Sequence, residues 1–210
     1  MPNRGNNAAR FATMLRSLRR RISDLDTRFI APVIDPLTAP QDYEVPVAAF
    51  CVLSHAAIED FVEQLCLYTM STATEDWLMN RRTARCLPTL MAGTKAVVEY
   101  EDFRSLAVTR PIDHYRRLHD HVRSKYSALI LGNHGISVAY LRDMLYPLGI
   151  EFDDAPLLAS VRRLADERGH YAHKIGARRP LPPEDARRLT RDCLRLAKTL
   201  AVGAATQLSG

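Results

Sequence analysis

The sequence predicts an all-α fold, a single-domain helical bundle over residues 1–210 with about six or seven helices. Three observations point there. Apolar residues recur at alternating three- and four-residue steps through several long segments. Prolines gather mainly between those segments. No internal repeat or low-complexity linker divides the chain.

The first helix is expected over about Ala8 to Ile30, with Phe11, Leu15, Leu18, Ile22, Leu25 and Phe29 as its apolar stripe. Arg16, Arg19, Arg20 and Arg21 fall mainly off that stripe, so residues 8–30 read as a basic N-terminal helix. Pro32, Pro36, Pro40 and Pro46 then read as an extended connector. Helix resumes near Pro46, since proline is tolerated in a first turn. Val47, Cys51, Ser54, Ile58, Phe61, Leu65 and Tyr68 follow one face, and Thr72 to Arg85 continues as a shorter helix around Trp77.

Leu87 to Arg110 carries no clear period. A short strand through Val97, Val98 and Tyr100 and a loop with helical turns fit equally. Pro111 and Asp113 open a helix to about Ser124, with Ile112, Tyr115, Leu118 and Val122 along its apolar edge. Asn133-His-Gly135 marks a turn, and a helix from about Ser137 to Leu145 is stopped by Pro147 and Gly149. Asp153 and Asp154 cap the next helix, whose buried face is Leu157, Val161, Leu164 and Ala165. After Pro180, Pro182 and Pro183 a final helix starts at about Glu184, burying Leu189, Cys193, Leu196 and Leu200.

A chain of 210 residues, 47% apolar, is long enough to bury a core without staples. No stretch approaches the uninterrupted apolar length of a membrane span, and Met1-Pro-Asn-Arg has no apolar segment behind it that reads as a secretory signal. Cys51, Cys66, Cys86 and Cys193 lie far apart, which fits reduced thiols in helix cores of a cytoplasmic protein. The net charge of +5 leans mildly towards a polyanionic partner. Its arginines cluster at 16–21, 81–85, 116–125, 162–168 and 178–195; singly these are solvated helix faces, and together they fit a groove for phosphates.

The stretch with the most chemistry is Arg168-Gly-His-Tyr-Ala-His173. Arginine holds phosphate through a planar fork of donors, and histidine moves protons near neutral pH. At 100° per residue the two side chains stand roughly 140° apart, so one straight helix does not converge them. Either the helix bends at Gly169, which weakens it by about 1 kcal/mol relative to Ala, or the groove is shared between two copies. On spacing alone the better reading is a helix end, with Arg168 paired to an acid and His173 capping the last carbonyls.

An all-α domain whose late helix carries Arg-x4-His resembles the HEPN superfamily, the helical nucleases of prokaryotic toxins and defence systems. Ser54-His-Ala-Ala-Ile-Glu-Asp-Phe-Val-Glu63 looks like the early acidic helix of its RiboL-PSP-type subgroup. Asn133-His-Gly-Ile-Ser137 with Leu141-Arg-Asp-Met-Leu-Tyr-Pro-Leu-Gly-Ile150 resembles the segment before the motif helix. The motif-bearing core then covers about 45–206. The resemblance implies a metal-independent endoribonuclease that leaves 2′,3′-cyclic phosphate and 5′-OH ends, without a cofactor, as a homodimer whose motifs share a cleft. It also implies a toxin or defence effector with an antitoxin or defence-system partner.

Carried over, Arg168 holds the scissile phosphate and His173 is the general acid or base, with Glu59 of the early helix orienting the pair. His170 stands as a further candidate that would compensate for Gly169, where many of these nucleases have a polar residue. Arg162, Arg163, Lys174, Arg178 and Arg179 are the candidate RNA contacts. The Gly169 departure supports an alternative, a non-catalytic HEPN-like module that binds RNA or protein and dimerises. His114, His119 and His121 include a His-x-His, but no carboxylate or cysteine set accompanies them at ligand spacing, so no metal is expected and they read as solvent-facing.

Overall fold

The computed structural model describes residues 4–35, 37–95, 111–173 and 180–209, with backbone alone for 4, 5, 111, 112, 114, 172 and 173. Among these residues are seven α-helices and no strand. They are α1 (Arg4–Leu25), α2 (Pro40–Asn80), α3 (Cys86–Gly93), α4 (Pro111–Leu131), α5 (Val138–Leu145), α6 (Ala155–His173) and α7 (Pro183–Gln207).

The first helix loosens at Asp26 into a π-helical turn to Ile30, followed by a 3-10 turn over Ala31–Val33. α2 starts at Pro40, six residues before the expected Pro46. Pro40 takes a first-turn position, where its missing N–H costs no helical bond. Pro46 sits inside the helix and forfeits a bond to the preceding turn, but Tyr43, Val47 and Phe50 are buried on the same turns and hold the segment helical. Nor does Thr72 to Arg85 form a separate helix. α2 runs on through buried Met70, Ala73 and Thr74, whose hydroxyl donates back to Met70 O at 3.0 Å. It ends where Arg81 turns left-handed (φ 56°) and its Nη1 donates to Leu78 O at 2.8 Å.

α2 is the axis of the bundle, with α1, α4, α6 and α7 packed around it. That explains why its buried positions spread well beyond one stripe. By length and composition α2 is apolar enough to cross a membrane, although Glu59, Asp60 and Glu63 interrupt its apolar run. Half of its most apolar stretch is buried among the neighbouring helices, which is the position of a core helix.

Cross-helix bonds fix the layers. Tyr68 of α2 donates to Asn7 of α1 at 3.0 Å, and Ser160 of α6 donates to Asp192 of α7 at 2.9 Å. Arg187 of α7 grips Asp26 through two bonds of 2.7 and 2.9 Å. α4 outlasts the expected Ser124 because Tyr126 and Ile130 continue its buried stripe, and the Tyr126 hydroxyl donates to Met144 O. Part of the unassigned 87–110 stretch is helical as α3, whereas Val97, Val98 and Tyr100 lie outside the described residues.

The caps fall where the residue types place them. Ser137 Oγ accepts from Tyr140 N at the start of α5, Asp154 Oδ1 accepts from Leu157 N at the start of α6, and Gly149 closes the turn after α5 with φ 65°. All four cysteines are free and buried. Burial pushes the Cys51, Cys66 and Cys193 thiols up to about 12 and Cys86 to about 11, so none is a thiolate near neutral pH.

Candidate functional site

α6 is seated on α2 and α7 by Val161, Leu164, Glu167 and Tyr171, all buried. Glu167 is the unusual member of that face, 4% exposed and close enough to raise both the Cys51 thiol and the Tyr171 phenol. Tyr171 OH accepts from Leu181 N at 3.3 Å, which ties α6 to the chain entering α7. Arg168, next to Glu167, is exposed, and among the described residues no hydrogen bond or ion pair holds its guanidinium. Its fork of five donors stands exposed beside the α2–α6 contact.

Beneath that rim lies a polar group contributed by α2. His55 is 2% exposed, and burial together with the Arg168 charge lowers its pKa to about 4. It is neutral at pH 7. Its Nδ1 stands 3.6 Å from Glu59 Oε2, one turn on, so this is a polar contact and not an ion pair at neutral pH. Glu59 is half-buried, with its side chain 21% exposed. Burial and the neighbouring Glu63 raise its carboxyl pKa, while the charges of Arg168 and His134 pull it back down.

The turn between α4 and α5 closes over the same side of α2. Asn133 is buried, and its Nδ2 donates to Gly135 O at 2.9 Å and to Glu63 Oε1 at 3.3 Å. Gly135 has φ 139°, a conformation that excludes side-chain-bearing residues at low cost. A Cβ there would sit 3.4 Å from His55 Cε1, so the turn rests directly on the imidazole. His134, between them, is exposed.

The charge of Arg168 thus reaches His55 and Glu59, and the turn that carries His134 rests on the same side of α2 through Asn133–Glu63 and Gly135–His55. Other sequence candidates fall elsewhere. α6 runs unbroken through Gly169, so the helix does not break there to swing its last turn round. His170 is two residues and roughly 200° round the helix from Arg168, partly buried, with its ring edge-on to Tyr171 at 5.7 Å. Arg162 and Arg163 are exposed but stand roughly 120° and 140° away from Arg168. The His173 side chain and residues Lys174, Arg178 and Arg179 lie outside the described residues. Asp60 is the solvated acid of α2 and meets Arg21 at 3.4 Å.

The basic clusters are less uniform than the composition suggests. On α7, Arg188, Arg191 and Arg195 face Asp185, Glu184 and Asp192 at 2.9–3.7 Å. No group of three or more His, Cys, Asp or Glu is placed to hold a metal among the described residues. His119 is not solvent-facing: it is fully buried and stacks on Trp77, with centroids 4.6 Å apart, because that apolar ring offers the imidazole a flat partner. The His114 side chain lies outside the described residues.

His55, Glu63 and His134 went unselected in the sequence. The readable sign was the i, i+4 spacing of His55 and Glu59 on one helical face, together with a His in the Asn-x-Gly turn. A family model, RiboL-PSP-HEPN, matches residues 15–202. No curated protein and no solved structure matches the chain.

Proposed function

The chain belongs to the RiboL-PSP-HEPN family, and from that premise we propose that it is a metal-independent endoribonuclease. The observation that carries the reading is Arg168, an exposed guanidinium with no partner among the described residues, whose charge reaches His55 and Glu59. A scissile phosphate fits its exposed fork, and the pentavalent transition state gains more from that charge than the ground state does. Glu59 keeps the guanidinium turned to the rim by charge attraction, and neutral His55 fills the space behind without competing for the phosphate.

RNA carries its own nucleophile. The 2′-OH attacks the adjacent phosphorus, a proximity advantage that needs no metal-bound water. His173 takes the 2′-OH proton as general base, and the products are a 2′,3′-cyclic phosphate and a 5′-OH. The Arg-x4-His spacing sets the two positions roughly 140° apart on a regular helix, which favours a cleft shared between two copies. The protein acts in the cytoplasm as a homodimer, in a toxin or defence role with a cognate antitoxin or defence partner. The test is cleavage of RNA in EDTA, lost on Arg168→Ala and on His173→Ala; intact RNA with the wild-type protein across several substrates overturns the reading.

One observation favours a second reading, a non-catalytic module that binds RNA or a partner protein. A Cβ at Gly169 would meet nothing within 4 Å, so packing does not demand glycine where related nucleases place a polar side chain. Under that reading His173→Ala leaves binding unchanged, while charge reversal of the exposed arginines weakens RNA binding with a steep salt dependence.

A further inference from the structure

Cleavage by 2′-OH attack moves two protons. As the 2′-O–P bond forms, a base takes the 2′-OH proton; as the P–O5′ bond breaks, an acid delivers a proton to the departing 5′-oxygen. The Arg168–x4–His173 stretch supplies one imidazole for this work. The turn before α5 brings a second. We propose that His134 is the general acid of this site, presented to the 5′-oxygen by a turn locked onto α2 beside Glu59. This rests on the ribonuclease reading above and assigns its second proton.

Three features make the turn a rigid mount for that imidazole. Asn133 is buried and clamps the turn internally through Gly135 O and externally through Glu63 of α2. Gly135 adopts φ 139° and lies against the His55 ring, so the residue before it has a fixed exit direction. His134 itself is exposed, free to meet a substrate, whereas His55 is buried and His170 lies on another side of α6. An exposed histidine on a loosely tethered loop would have no such claim.

The charged and titratable groups of α2 that face the His134 turn are His55, Glu59 and Glu63, and the charge of Arg168 from α6 reaches the first two. His55 is neutral near pH 7 and cannot serve as the acid. An imidazole acts as a general acid from its protonated form. Arg168 supplies the fixed charge on the phosphate. After one turnover His134 has lost a proton and His173 has gained one, and exchange with water restores both.

The test uses the full-length protein, the variants His134→Ala and His134→Gln, and two RNA substrates. One substrate is ordinary, and the other carries a bridging 5′-sulfur at the scissile phosphate. A thiolate leaves without a proton, so a general acid is dispensable for it. Both variants are expected to slow the oxygen substrate about 10²–10⁴-fold. They are also expected to lose the limb on which wild-type rate falls as pH rises, and to cleave the sulfur substrate at close to the wild-type rate. Unchanged melting temperatures exclude a folding defect at this exposed position. Variants as fast as wild type on the oxygen substrate, or slowed equally on both substrates, overturn the assignment while leaving the ribonuclease reading intact. No cleavage of either substrate by the wild-type protein overturns both.

Discussion

Asn133 reaches from the turn before α5 to Glu63 in the middle of α2, its Nδ2 lying 3.3 Å from Glu63 Oε1. The bond joins the turn that carries His134 to the helix that carries His55 and Glu59. Its geometry is backed by a second bond from the same nitrogen to Gly135 O at 2.9 Å. One buried amide thereby ties the turn that carries His134 to α2.

Removing that amide therefore costs stability at the site itself. Asn133→Ala leaves Gly135 O without its partner and is expected to destabilise the fold by about 1–3 kcal/mol. Gly135→Ala forces a Cβ into a left-handed conformation and should cost about 1–3 kcal/mol as well. Urea denaturation of both variants measures the loss; wild-type midpoints would mean that the turn is not locked to α2.

His55 makes stability sensitive to acid. Its pKa is about 4 in the folded protein and near its ordinary 6.5 when unfolded. Between those values the unfolded chain binds more protons, so the contribution is whole above pH 6.5 and is lost as pH falls through 4. At about 1.4 kcal/mol per unit the loss is on the order of 3 kcal/mol. Glu59 works in the opposite direction: its raised pKa favours folding in acid, and that contribution is lost as pH rises through the folded value. The His55 share is thus read as the difference between wild type and His55→Leu, whose stability should fall less on acidification. Because Arg168 helps to hold His55 neutral, Arg168→Ala should raise the His55 pKa in an NMR titration. An unmoved titration would place Arg168 too far from α2 for the site described.

Much of the architecture was legible in the sequence because helices announce themselves by period and by caps. Ser137, Asp154 and Gly149 do what their residue types predict. What misled was proline: Pro46 read as a helix start, yet buried neighbours carry α2 across it from Pro40. Thr72 to Arg85 read as a shorter helix because local polarity hides the burial that α2 gains from helices distant in sequence. Of the site, Arg168 and Glu59 were visible as motif and acidic helix. His134 and Glu63 were not, since only the fold lays the Asn133 turn against α2. His119 was misjudged for the same reason: Trp77, 42 positions away, provides its stacking partner.

Gly169 offers a test of backbone economy. It lies inside α6, where an added methyl group would meet open space, so Gly169→Ala should stabilise the protein by about 0.5–1 kcal/mol through helix propensity alone. Thermal melts of the two proteins decide it. A lower melting temperature for the alanine variant would indicate that the helix depends on glycine at this point.

The Arg187–Asp26 clamp is the strongest polar tie between α7 and the turn after α1, with two bonds and both side chains under a third exposed. Arg187→Ala is expected to cost about 1–2 kcal/mol, within the range for charge-assisted bonds partly screened by water. A double-mutant cycle with Asp26→Asn isolates the pair, and a coupling near zero would reduce it to a surface contact.

The central claim is that Arg168 stabilises the transition state of 2′-OH attack. The most direct measurement is analysis of the RNA ends released in EDTA by the wild-type protein, by Arg168→Ala and by Arg168→Lys. Wild-type protein should release 2′,3′-cyclic phosphate and 5′-OH ends; Arg168→Ala should release almost none, and Arg168→Lys should fall well short because a point charge cannot replace the fork. Wild-type products ending in 3′-OH, or cleavage that survives Arg168→Ala undiminished, would contradict it.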